Sequence, residues 1–133
     1  MIRTLNHAVG FDDGPFPPDH RGDVDLIGAV FSGDCLVGVL RNRVRRDGAN
    51  ATERIAQVIE ESRYLEQLHL VLLQGIAVAG FNVVDIRALA HRLALPVIVV
   101  MRKNPDWQLG RCRCGVGSVM QVTPSTTHCL QNR

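Results

Sequence analysis

Several things are missing from this chain, and each absence removes a class of protein. No apolar run approaches the roughly 20 residues that a bilayer-spanning helix needs, so no membrane partner is expected. The start, Met-Ile-Arg-Thr-Leu-Asn, lacks the apolar stretch of roughly 7 to 15 residues and the small-residue cleavage site of a secretory signal, which predicts a cytoplasmic protein. The four cysteines form no disulfide framework: Cys35 stands alone, and Cys112, Cys114 and Cys129 crowd the end. Cys112-x-Cys114 with His128-Cys129 offers four conceivable zinc ligands, but their spacing matches no standard finger or ribbon. Charge of one sign is scarce as well. A net charge of +2 does not indicate a nucleic-acid partner, because such a footprint is a local cluster.

What remains is an ordinary globular composition, 46% hydrophobic and 21% charged, in 133 residues, enough for one domain with one core. His7 to Phe11 is a short apolar run stopped by Asp12-Asp13-Gly14-Pro15, a strand meeting a tight turn. Asp23 to Ser32 and Cys35 to Arg46 are β-rich and separated by Gly33-Asp34, the chemistry of a two-residue hairpin. On the second of them Arg41, Arg43 and Arg45 share one face and Asn42 and Val44 the other. From Asn50 the period changes to that of a helix. Ile55, Val58 and Ile59 recur at helical spacing to about Leu65, with Asn50 and Glu53 placed as a capping box. His69 to Leu73 and Val97 to Met101 are continuous apolar runs, which predicts strands buried on both faces. Between them Asn82 is placed to cap a second helix, with Asp85 at its third position and Ile86, Leu89, Ala90 and Leu93 as its stripe. The order β-β-β-α-β-α-β predicts an antiparallel meander followed by parallel crossovers, the ribonuclease-H-like α/β mixed sheet.

Candidate chemistry gathers at strand ends. Asp12 and Asp13 close the first strand, where a carboxylate pair can supply the oxygen ligands that Mg²⁺ takes; equally, Asp-Asp-Gly-Pro is a good turn. Asp47 and Asn50 flank the first helix, with turn and cap as their plain structural roles. Asp85 suits a helix N-terminus better than chemistry. The loop from Gln74 through Gly75, Gly80 and Phe81 to Asn82 joins a strand to a helix. Its glycines let backbone N–H groups approach an anion or a base, although it has neither the dinucleotide spacing nor a P-loop Lys-Ser/Thr pair. Phe81 reads as a core ring first and a stacking ring second. Arg41, Arg43, Arg45 and Arg46, with Arg102 and Lys103 after the last run, are a phosphate-facing surface or a solvated edge.

The segments VGFDDGPF (9–16), VRRDGANATERIAQVIEESRY (44–64), VLLQGIAVAGFNVVDI (71–86) and PVIVVMRKNPD (96–106) together resemble the archaeal endonuclease dU family, relatives of endonuclease V. The resemblance covers about residues 5–106 and implies a ribonuclease-H-like domain over 1–106. It implies cleavage of DNA near deoxyuridine with Mg²⁺ or Mn²⁺, and kinship with an enzyme that cuts nucleic acid near deaminated bases. Asp12 matches the first-strand aspartate of that pattern. The acidic position near the first helix falls at Asp47 or at Asn50. The family pattern there reads Asp-Gly-x-Asp-Ala-Thr, so Asn50 is a departure, and Gln74 stands at the third acidic position.

The resulting expectation is a metal-dependent endonuclease with Asp12, Asp13 and Asp47 as catalytic residues and Asp12 and Asp47 as metal ligands. Gln74, Gly75, Gly80, Phe81 and Asn82 would hold the base, and Arg41, Arg43, Arg102 and Lys103 the phosphates of DNA or RNA. The alternatives are a non-catalytic nucleic-acid-binding domain on the same scaffold and a small-molecule or protein-interaction domain. Residues 107–133 have no apolar period and are rich in Arg and Cys, so they are expected to be an irregular tail, the product of truncation or a frameshift.

Overall fold

Alternation of apolar and polar residues decides which side of each strand is buried. A computed structural model describes residues 6–101, 118–124 and 127–130, the last two stretches largely as backbone. Strands β1 (His7–Asp13), β2 (Asp23–Ser32) and β3 (Cys35–Arg45) form the expected antiparallel meander. Helix α1 (Ala51–Glu60) leads to β4 (Leu70–Gln74), which runs parallel to β1. A two-stranded hairpin, β5 (Ala77–Val78) and β6 (Asn82–Val83), precedes α2 (Ile86–Leu93), and β7 (Val97–Met101) then joins β4 in parallel. The sheet order is β3-β2-β1-β4-β7-β8-β9, where β8 (Ser118–Val122) and β9 (Thr127–Leu130) form an antiparallel hairpin on β7. The expectation of an irregular tail is corrected for these two strands. Pairing to the open edge of β7 is made by main-chain groups and needs no helical period in the sequence.

One face of the sheet carries the core. Val9, Phe11, Leu26, Val30, Val71, Leu73, Val97 and Val99 alternate along four strands and are at most 3% exposed. Ile55 and Ile59 of α1 and Leu89 of α2 close over them, each such side chain worth roughly 1.5–3 kcal/mol relative to exposure. The helices are tied to each other on their outer side, where the Arg92 guanidinium donates to Glu53 and, at 2.8 and 3.0 Å, to Glu60. Gly28 is required here because a Cβ would come within 2.6 Å of the Phe11 ring. β4 and β7 were expected to be buried on both faces. Instead Leu72 and Ile98 are half-buried and Val100 is 43% exposed, because among the described residues both helices pack on the same side.

A β-bulge sets the register of β3. Ser32 pairs with Cys35 across the hairpin, but after the irregularity at Val30/Phe31 the register shifts by one, so that Asp25 faces Arg43 and Ile27 faces Arg41. Without that extra residue Arg41 and Arg43 would lie beside Leu26 and Val24 on the core side. The extra residue is Val37, whose carbonyl accepts the Tyr64 hydroxyl at 3.0 Å, and Gly38 beside it has no room for a Cβ against the same ring. The arginine stripe is therefore exposed, as its alternation predicts.

Candidate functional site

The carboxyl ends of β1 and β4 lie side by side on the uncovered face. Asp12 is one step past the Phe11–Leu73 pair and so neighbours Gln74, with Ile27 opposite it on β2. Asp12, Asp13 and Gln74 share a cavity of about 470 Å³ with Ile27, Leu72 and Val100. Asp12 Oδ1 accepts the Asp13 amide at 2.9 Å. Asp13 reaches the other way, and its Oδ2 accepts the Ala79 amide at 2.8 Å.

That bond is one of three that fix the turn joining β5 and β6. Asp47 Oδ1 accepts the Phe81 amide at 2.8 Å, while its other oxygen lies 3.5 Å from Arg46 Nε. The third anchor is Asn82. It was expected to cap the second helix; instead it is fully buried, accepting the Ala51 amide at 2.9 Å and donating to Arg45 O and Asn50 Oδ1 at 2.8 Å each. Asn82 thus satisfies the first turn of α1, and Asn50, expected to cap α1 with its own side chain, accepts the Arg45 amide at 3.0 Å and makes no side-chain cap. Asp85 is the N-cap of α2, accepting from Ala88 at 3.0 Å, so its role is structural, but the helix begins three residues later than expected and Asp85 caps it instead of standing at its third position.

These bonds occupy several of the loop N–H groups that were expected to be open to a ligand. Gly75 donates to Val100 O at 3.0 Å, Val84 to Ile76 O at 2.7 Å, and the Ala79 and Phe81 amides go to the two carboxylates. Phe81 itself, read first as core, is 83% exposed.

A second cavity, of about 350 Å³, lies between the His20–Asp23 loop and the β3–α1 turn, lined by His20, Arg21, Arg45, Arg46 and Asp47 among others. Arg46 stacks over Phe16 at 5.4 Å and donates to His20 O. Asp47 faces this basic cavity, whereas Asp12 faces the first, so the structure does not bring the two expected ligands together in one cavity. Arg41 and Arg43 are held by Asp25, which accepts from Arg41 Nη2 at 2.9 Å and lies 3.6 Å from Arg43. The hydrogen bond from Arg41 holds the Asp25 carboxyl below the usual carboxylate range. Arg102, Lys103, Cys112 and Cys114 lie outside the described residues, as do the side chains of His128 and Cys129.

Among the described residues no three His, Cys, Asp or Glu side chains converge as a metal site. The first cavity supplies the Asp12 carboxylate and the Gln74 amide, with Asp13 on its wall but its carboxylate turned to the Ala79 amide. Such a set suits Mg²⁺, which keeps several waters and leans on one or two carboxylates plus substrate phosphates, and it is no self-sufficient cage. Sequence reasoning missed Asp25, His20 and Arg21. Asp25 was hidden by the bulge, since uninterrupted pairing from the hairpin turn places Val24, not Asp25, opposite Arg43.

A mixed sheet in this order, with helices following β3 and preceding β7, defines a ribonuclease-H-like protein. Endonuclease V of Ciona intestinalis, solved with a 24mer DNA containing an inosine followed by a ribo-adenosine, shares the fold at TM-score 0.51 and 15% identity, over 76% of this chain and 47% of that one. Within that class the chain belongs to the endonuclease dU family, whose profile matches residues 5–111. A UPF0215 protein of Deinococcus radiodurans is 54% identical over 101 residues, 76% of this chain and 51% of the relative. A protein of unknown function from Archaeoglobus fulgidus superimposes at TM-score 0.69 with 33% identity, over 75% of this chain and 56% of that one. The chain spans about half the length of the curated relatives it matches. Among the described residues no helix is long and apolar enough to cross a membrane.

Proposed function

We propose that the protein is a metal-dependent endonuclease that cuts DNA near deaminated bases such as deoxyuridine, acting in cytoplasmic DNA repair. The observation that carries this reading is Asp12 at the carboxyl end of β1, opening on an apolar cavity beside Gln74. Membership of the endonuclease dU family and the fold shared with an endonuclease V solved on inosine-containing DNA support it. Mg²⁺ or Mn²⁺ would supply Lewis acidity toward a phosphate oxygen and a more acidic bound water. Asp12 would hold the ion's protein side. Asp13 and Asp47 act one step back, fixing the turn at Ala79 and Phe81. Arg41 and Arg43, together with Arg102 and Lys103, would contact phosphates, the first two at reduced charge because Asp25 partly neutralises them.

The test is a labelled DNA strand with one deoxyuridine, incubated with Mg²⁺ or Mn²⁺ and with EDTA. Cutting that requires the metal and falls to background in Asp12→Ala is the expected result. One observation favours a second reading, a non-catalytic nucleic-acid-binding domain: Gln74 stands where the resemblance implies a carboxylate. Binding of DNA or RNA at low salt with no cleavage in any metal would select it.

A further inference from the structure

We propose that Phe81 is a base-stacking residue, an aromatic platform for an unstacked nucleobase on a turn pinned by Asp13 and Asp47. The inference rests on the nucleic-acid reading of the site for its ligand class, and on the geometry of the β5–β6 turn for everything else.

The ring is 83% exposed, and Val83 two positions on is 56% exposed. A phenylalanine left in water on a loose loop would be unremarkable, but this turn is not loose. Its backbone is held at Ala79 by Asp13 and at Phe81 by Asp47, and the Asn82 side-chain amide ties it to Ala51, Arg45 and Asn50, so three elements of the fold converge on it. Holding it requires strain. Asp47 and Ala79, neither of them glycine, sit at φ +52° and +49°, and Gly80, at φ +85°, leaves no space for a Cβ, which would lie 2.2 Å from Asp47 Oδ1. Backbone strain of this kind persists where surrounding structure overdetermines it and clusters at binding sites. Here its product is one aromatic ring presented to solvent in a fixed place.

The two pinning carboxylates give that place a chemical setting. Asp13 lines the cavity that contains Asp12, and Asp47 lines the basic cavity with Arg21, Arg45 and Arg46. The turn is thus anchored by one residue from each. A strand whose phosphates meet the arginines beside Asp47 can place a base on the ring, whose amide Asp47 holds. The amides of Ala79 and Phe81 are occupied, so what Phe81 itself presents to a ligand is the π-face of its ring. Stacking of this sort tolerates any base and requires that the base be out of its duplex. Phe81 should therefore contribute to affinity for single strands, bulges and mispaired sites alike, without choosing uracil.

The experiment uses the full chain. Binding of a fluorescent single-stranded oligonucleotide and of a fully paired duplex is measured at low salt for wild type, Phe81→Ala and Phe81→Tyr. Because the ring is exposed, Phe81→Ala should fold as wild type does. It is expected to bind the single strand about ten-fold more weakly, as loss of one stacked base implies, with duplex affinity unchanged and with Phe81→Tyr restoring the single strand. In a Trp107→Phe background the indole introduced by Phe81→Trp should be quenched as single strand is added. Equal single-strand binding by wild type and Phe81→Ala, or an indole indifferent to saturating oligonucleotide, overturns the proposal. So does a change of oligomeric state in Phe81→Ala by sedimentation, which would assign the ring to a contact between copies of the chain. Metal-dependent cutting by wild type, with single-strand binding unaffected by Phe81→Ala, would sink this inference and leave the nuclease standing. Loss of single-strand binding in Phe81→Ala, in a protein that cuts nothing, would do the reverse. A wild type that binds no nucleic acid overturns both.

Discussion

The two faces of the sheet are built from the same strands and differ in what selects their residues. On the helix-covered face Val9, Val71, Val97 and Val99 are fully buried in an unbroken apolar layer. On the other face, residues of the same strands are Gly10, Asp12, Leu72, Gln74 and Val100, a mixture of small, apolar and polar groups around a cavity. Packing constrains the first face at every position. The second is constrained only where a charge or a cavity wall is needed, and there alternation alone conveys little beyond the choice of side.

That comparison can be broken by paired substitutions. Ile55→Ala opens a cavity under α1 and should cost about 2–5 kcal/mol in denaturant unfolding, whereas Ile27→Ala on the open face should cost less than about 1 kcal/mol. Equal costs would mean that the open face is covered in solution. The next effect is Asn82→Ala. It strands the buried Ala51 amide, while the Arg45 carbonyl still accepts from Gly48 at 3.1 Å, so about 2–3 kcal/mol is expected, with lower protection of the first turn of α1 in hydrogen exchange. Gly80→Ala follows at about 1–3 kcal/mol, from its left-handed backbone and the encounter with Asp47. Asp47→Ala gives the clashing atom more room, so the double variant should lose less than the sum of the two single variants, a non-additivity that unfolding midpoints can measure.

The sequence made the helix-covered face legible because a period of two or of 3.6 registers burial directly. Strands β1 to β4 and β7, the hairpin at Gly33-Asp34 and the apolar stripes of both helices follow from it, whereas the β5–β6 and β8–β9 hairpins, held by main-chain pairing, do not. Three other things did not follow. The bulge at Val37 has no strong local signature, so the partnership of Asp25 with Arg41 and Arg43 was invisible. Asn50 and Asn82 have the right chemistry to cap the helices they precede, yet their amides are used across the fold, joining β3, α1 and β6. Phe81 looked like core because phenylalanine usually is, and its exposure depends on a turn anchored by Asp47 and Asp13, both distant in the chain. Of the candidate site, Asp12, Asp13 and Gln74 were found together because strand ends in a parallel pair align; Asp47 was not, because a turn can direct its side chain to either side.

The smallest expected effect concerns charge on the open face. Asp25 is held below the usual carboxylate value of 3.8 chiefly by its hydrogen bond from Arg41. A depressed carboxylate pKa stabilises the fold above the unfolded value and loses that contribution as pH falls through the folded one. The gap between wild type and Asp25→Asn in urea midpoint should therefore be present near neutrality and close below about 3.8, where Asp25 takes up its proton. Both side chains are well exposed, so the difference near neutrality should be slight and should shrink in salt. The same substitution releases Arg41 and Arg43 from their counter-charge. If these arginines contact phosphates, Asp25→Asn should raise nucleic-acid affinity and steepen its salt dependence while barely moving stability. A change in stability without a change in salt dependence would return the arginine stripe to the role of a solvated edge.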